Sequence, residues 1–127
     1  MSVAEVSTQV QIIDRFHRAF AKGDFQSVMD CCTDDVVWDN VPMKPIVGKQ
    51  AVLAFLEKFA RGMSDPRHER KNVLERDGLV MVEGVENYVK NGKSVRVPYM
   101  AAFEIREGKI SQWRDYFDLS TVERQLA

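Results

Sequence analysis

Three turn signals, "RDG" at 76–78, "NG" at 91–92 and "EGK" at 107–109, punctuate the last half of the chain. They constrain the fold more than any other feature. Asn-Gly is the strongest short hairpin signal, because both positions tolerate the positive φ that a twisted pair of strands demands. The residues between the turns alternate in polarity. The spacing predicts strands over 79–90, 94–106 and 110–118, joined as an antiparallel meander. Residues 67–76 are too weakly patterned to assign.

The first half reads as helix. Val6, Val10, Ile13, Phe16 and Phe20 keep the three-to-four spacing of one buried stripe. Ser7 or Thr8 can cap its start. Gly23 closes it, and Asp24 can cap a short second helix running through Cys32. In "DDVVWDNVP" the period changes to two: Val36, Trp38 and Asn40 alternate with Val37 and Asp39, and Pro42 ends the strand. "GKQAVLAFLEKFARGM" is a third helix with Val52, Phe55, Leu56 and Phe59 inward. Ser120 with Glu123 suggests a capping box for a short C-terminal helix. Helices followed by a meander predict an α+β fold: a strongly curved sheet, antiparallel or mixed, wrapped on three N-terminal helices. Such a sheet makes a cone, whose interior is either packed or left as a pocket.

The 127 residues fit a single domain, 1–127. With 18 basic and 19 acidic side chains there is no electrostatic footprint for nucleic acid or an acidic membrane. The start of the chain lacks a leader pattern, so a cytoplasmic protein is expected. Cys31 and Cys32 are adjacent and poorly placed to bridge each other, which predicts two reduced, half-buried thiols. No metal-ligand spacing and no glycine-rich nucleotide motif occurs, so neither a metal nor a cofactor is expected.

Strand parity indicates which side chains face the interior. On the last strand Trp113, Asp115 and Phe117 share a face, with an acid between two aromatic rings. On the preceding strand the apolar set Val95, Val97, Tyr99, Ala101, Phe103 and Ile105 faces inward. On 79–90 the choice stays open, because each face carries one glutamate, Glu86 or Glu83. A carboxylate on an inward face needs a partner or a function, since burying it alone is costly.

"VVWDNVPMKPIVGKQAV", "DGLVMVEGVE" and "GKISQWRDYFDL" resemble the limonene epoxide hydrolase family, within the cone-shaped nuclear-transport-factor-2-like superfamily. The resemblance implies a pocket, a small apolar ligand and a homodimer. It places the water-activating Asp on Asp115, the water-holding Asn on Asn40 and the pocket tryptophan on Trp113. The family's Tyr position is Trp38 here. Its Arg-x-Asp becomes Gly84-Val85-Glu86, so a longer acid replaces the acid and the arginine is gone. Gly84 is then expected to leave a gap that Glu86 partly fills. His17 and His68 fall on pocket-lining positions; read alone, each is a polar residue at a helix or strand margin. Tyr88, Val97, Tyr99 and Phe117 are expected to complete the wall.

The resemblance implies a cofactor-free acid–base enzyme adding water to an epoxide, with Asp115 and Asn40 activating the water and Glu86 as the acid. Two close carboxyls can divide these roles unaided, because they resist ionising together. One alternative is an isomerase, dehydratase or polyketide cyclase acting on a cyclic ketone through Asp115 and a histidine. Another is a domain that binds a small ligand without chemistry.

Overall fold

The computed structural model describes residues 7–127; Val6, the expected start of the helical stripe, lies outside them. Helix α1 spans Thr8–Ala21 and α2 Phe25–Asp30. Ser7 caps α1 by accepting from the Val10 N–H, and Asp24 caps α2 by accepting from the Ser27 N–H. The second helix stops before Cys32, which instead begins strand β1, Cys32–Asn40, and is fully buried. A two-residue strand β2, Ile46–Val47, precedes α3, Lys49–Phe59. Then come β3, Met63–Arg76, β4, Leu79–Lys90, β5, Lys93–Arg106, β6, Lys109–Tyr116, and α4, Leu119–Leu126. The cap of α4 is Asp118, accepting from the Ser120 N–H, in place of the expected Ser120–Glu123 box.

The strands form one mixed sheet in the order β2-β1-β6-β5-β4-β3. Among the described residues only β1 and β6 run parallel; every other pair is antiparallel. Asn91 and Gly92 take φ of 52° and 80°, and Glu107 and Gly108 take 51° and 77°, as tight hairpin turns require. The weakly patterned stretch at 67–76 proves to be most of β3, the edge strand. Its register shifts twice against β4, between Ser64 and Arg67 and between Arg70 and Asn72. Each shift adds a residue, reverses the inward set and bends the strand. These bulges erase the alternation from the sequence and curve the sheet, which stays unclosed.

Helix α1 lies in the concavity. Phe16 is 1% exposed and meets Trp113 edge-on at 4.6 Å between ring centres, and Phe103 at 5.4 Å. Helix α4 packs against β5 beyond the end of β6. There β6 has ended and β5 presents an open backbone edge at Arg96. The Gln125 side-chain amide takes the place of a strand, accepting from the Arg96 N–H at 2.8 Å and donating to its carbonyl at 2.9 Å. Leu119 and Val122 of the first turn of α4 line the interior cavity.

Phe16→Ala is expected to destabilise the fold by about 3–5 kcal/mol through the void left between α1 and the sheet. Equilibrium urea unfolding measures this; a loss within the range of surface substitutions would show that α1 is not seated in the concavity.

Candidate active site

The parallel pairing of β1 with β6 creates a two-by-two grid of side chains. Trp38 lies beside Trp113, and Asn40 beside Asp115. The two-residue period of each strand turns all four to the concave face. The indoles stack with ring centres 4.1 Å apart and planes 8° from parallel. Both indole N–H groups donate to Asp115, Trp38 Nε1 across the strand pair at 3.0 Å to one carboxylate oxygen and Trp113 Nε1 from two residues earlier on β6 at 3.2 Å to the other. An indole can only donate, and here Trp38 donates to the carboxylate itself, fixing its plane. Asn40 is buried and lines the cavity, and its side chain bonds to no described residue. Its amide is available to a water or a ligand.

Glu86 arrives from β4, opposite Val97 on β5 and His68 on β3. The face left open by periodicity is settled: Val80, Val82, Gly84 and Tyr88 are buried on the concave side with it. Glu86 and Asp115 are half-buried, and both line one cavity of about 200 Å³ with Trp38, Asn40, Tyr88, Val97, Tyr99, Trp113 and Phe117. A smaller chamber of about 40 Å³ continues past Glu86, Tyr99 and Asp115 to His17 and His68. The cavity is therefore open rather than plugged by rings. Phe20 and Phe59 line both chambers, and Phe55 the larger one. The sequence placed Phe20, Phe55 and Phe59 on inward helix faces but gave no sign that they wall a cavity.

Burial raises both carboxyl pKa values. Asp115 stands at about 6, pushed up by desolvation and drawn back by the two indole donors. Glu86 is pushed to about 8, first by desolvation and then by the charge of Asp115. Interacting carboxyls lose their protons as a pair, in two steps. Between those steps the pair holds one proton, with Asp115 ionised and Glu86 neutral. Among the described residues no cationic side chain bonds to either acid.

The expected gap at Gly84 does not exist. The hairpin sets Tyr99 directly opposite Gly84. A Cβ at position 84 would lie 2.8 Å from the Glu69 carbonyl, 2.9 Å from the Tyr99 hydroxyl and 3.0 Å from its Cε1. Tyr99, rather than Glu86, occupies the space. Its hydroxyl is hydrogen-bonded to His68 Nε2, and the His68 ring lies over His17 with centres 4.1 Å apart. Arg70 of β3 pairs with Asp14 of α1 beside them. Burial holds His17 down at about 3, with smaller contributions from His68 and Arg70. His68 is lowered by burial and then by Arg70. Both imidazoles are therefore neutral near pH 7. The sequence placed these histidines on the pocket wall but did not reveal that their rings lie against each other, tilted by 33°, or that Tyr99 bonds one of them.

With this geometry established, the match of residues 13–113 to the SnoaL-like domain is decisive. The chain belongs to the SnoaL-like family. The epoxide hydrolase EphG of Mycobacterium tuberculosis is 25% identical over 114 residues, covering 90% of this chain and 76% of that one. Solved structures share the SnoaL-like fold. An LEH-like epoxide hydrolase of M. tuberculosis superposes with a TM-score of 0.82 at 23% identity, over 94% of this chain and 92% of its own. An NTF2-like protein of unknown function from Burkholderia pseudomallei reaches 0.87 at 20% identity, over 96% and 99%. A protein assigned as a polyketide cyclase from Xanthomonas campestris reaches 0.82 at 21% identity, over 94% and 97%. Among the described residues no helix is long and apolar enough to cross a membrane.

Two predictions follow from this geometry. Gly84→Ala is expected to cost about 1–3 kcal/mol by forcing Tyr99 and the Glu69 carbonyl aside, and to break the Tyr99–His68 hydrogen bond. Thermal unfolding and the His68 imidazole NMR signals report the two effects; an unperturbed variant contradicts the close packing. The second concerns pH. Raised carboxyl pKa values mean that the folded chain keeps protons the unfolded chain has released. The penalty is absent below about pH 4 and grows as pH rises through about 8. Glu86→Gln is expected to match the parent at about pH 4 and to exceed its stability at about pH 9 by on the order of 2 kcal/mol, cavity water screening the remainder. Urea unfolding at both pH values checks the sign.

Proposed function

We propose that this SnoaL-like protein is a cofactor-free hydrolase that adds water to a small, largely apolar epoxide. The observation that supports this most is that Glu86 and Asp115 line one cavity with Asn40 and, among the described residues, neither acid has a cationic partner, so burial raises both and Glu86 the more. The likeness to EphG, an epoxide hydrolase, agrees with it.

A water held by the Asn40 amide and Asp115 gives a proton to the Asp115 carboxylate as its oxygen attacks one epoxide carbon. That carbon–oxygen bond breaks, and the neutral Glu86 carboxyl protonates the departing oxygen. The product is a vicinal diol. The turnover leaves Asp115 protonated and Glu86 ionised, and transfer of one proton within the pair restores the starting state. The indole donors use two of the roughly four lone-pair sites of Asp115 and leave the others for the water. Each proton-transfer role contributes about 10²–10⁴ in rate.

The expected pH profile of kcat/KM is a bell with limbs near about 6 and about 8, where Asp115 gains a proton and Glu86 loses one. Asp115→Asn is expected to lose about 10²–10⁴ of the activity. Diol formation from a panel of cyclic and terpene epoxides measures both. No turnover across the panel, or an Asp115→Asn variant as active as the parent, refutes the proposal.

One observation favours a second reading. Tyr99, whose hydroxyl is bonded to His68, lines both chambers together with Asp115. It can polarise a ketone oxygen while Asp115 removes the adjacent proton, as an isomerase, dehydratase or polyketide cyclase requires. Deuterium exchange into a bound cyclic ketone, abolished in Asp115→Asn and accompanied by no epoxide opening, selects this reading.

A further inference from the structure

Water addition needs only the larger chamber, yet the cavity continues into a smaller one lined by two histidines that the proposed reaction leaves unused. His17 Nδ1 is sealed from solvent and has no hydrogen-bond partner among the described residues. A neutral imidazole carries one N–H and one bare nitrogen. We assign the bare nitrogen to the sealed Nδ1, because an N–H buried there without an acceptor would carry the full cost of its lost hydrogen bond; that puts the proton on Nε2. Nε2 is neither sealed nor bonded, and the ring lines the chamber. Its N–H is therefore available to a ligand.

We infer that the histidine chamber is a second polar subsite, in which His17 Nε2–H, beside the Tyr99–His68 pair, receives a neutral ketone or hydroxyl oxygen at the far end of an apolar ligand. The inference rests on the proposed hydrolase reading for the group at the ligand's other end, between Asp115 and Glu86.

The chemistry of the chamber selects a neutral oxygen. A carboxylate or phosphate there would face the ionised Asp115 across imidazoles that burial keeps uncharged. The nearby guanidiniums are engaged elsewhere, Arg70 with Asp14 and Arg67 with Asp65. A hydrocarbon end would displace water and leave the N–H unpaired, losing a hydrogen bond. The chamber's volume of about 40 Å³ is roughly three times the minimum that holds one water, room for one small polar group and little else.

The test measures binding, so it is independent of turnover. Equilibrium titrations compare carvone, a cyclic ketone, with limonene, the hydrocarbon of the same skeleton, on the parent chain and on His17→Leu and His17→Gln. Nitrogen NMR of the imidazoles follows the same titrations. Carvone is expected to bind about tenfold more tightly than limonene, the worth of one hydrogen bond, and to shift the His17 Nε2 signal where limonene does not. His17→Leu is expected to abolish the ketone's advantage without weakening limonene. His17→Gln, which keeps an amide N–H, is expected to retain part of it. Equal affinity for the two probes, or an advantage that survives in His17→Leu, overturns the inference. A ketone advantage that His17→Leu abolishes, in a protein that opens no epoxide, supports the subsite and overturns only the hydrolase reading; epoxide opening without the advantage does the reverse.

Discussion

Two carboxyl groups share one cavity, and among the described residues neither has a cationic partner. That constraint governs the interior. An acid buried without a counter-charge either gains neutral donors or keeps its proton. Asp115 gains two indole donors, and Glu86 keeps its proton. The donors are rigid because the parallel β1–β6 pairing stacks the two indoles side by side. The core around Phe16 then holds Trp113 in place. The asymmetry between the two acids thus originates in strand register.

If Gly84 stands where the sequence resemblance puts an arginine, the difference bears on the electrostatics more than on the space, because Tyr99 and the Glu69 carbonyl already fill the room beside Gly84. A guanidinium between two carboxylates would favour both as anions. Here a neutral phenol stands in that position, supported by neutral histidines. Both acids are accordingly raised, and a proton remains in the cavity at neutral pH. An acid that must protonate a leaving oxygen is better served by this arrangement than by an ion pair.

Much of this was legible in the sequence, where local signals were strong. The "NG" turn set β4 at 79–90 and β5 to within one residue. It also fixed the register that pairs Gly84 with Tyr99, and a glycine inside a strand signals a close approach. The filled gap was thus readable by counting back from the turn. Strand β3 was not, because two bulges reverse its alternation and its outer edge is solvated. The side of Glu86 was undecidable from periodicity, since Glu83 balances it on the other face. The contact between the two histidine rings depends on how α1 lies across a bulged edge strand, and no local pattern encodes it.

The most direct measurement is a carbon-detected NMR titration of the Glu86 and Asp115 carboxyl groups in the folded protein, assigned with Glu86→Gln and Asp115→Asn. The expected result is two separated steps, Asp115 ionising near about 6 and Glu86 near about 8, each altered when the other acid is removed. Two independent carboxyls titrating near about 4, as in unstructured peptides, would contradict the account.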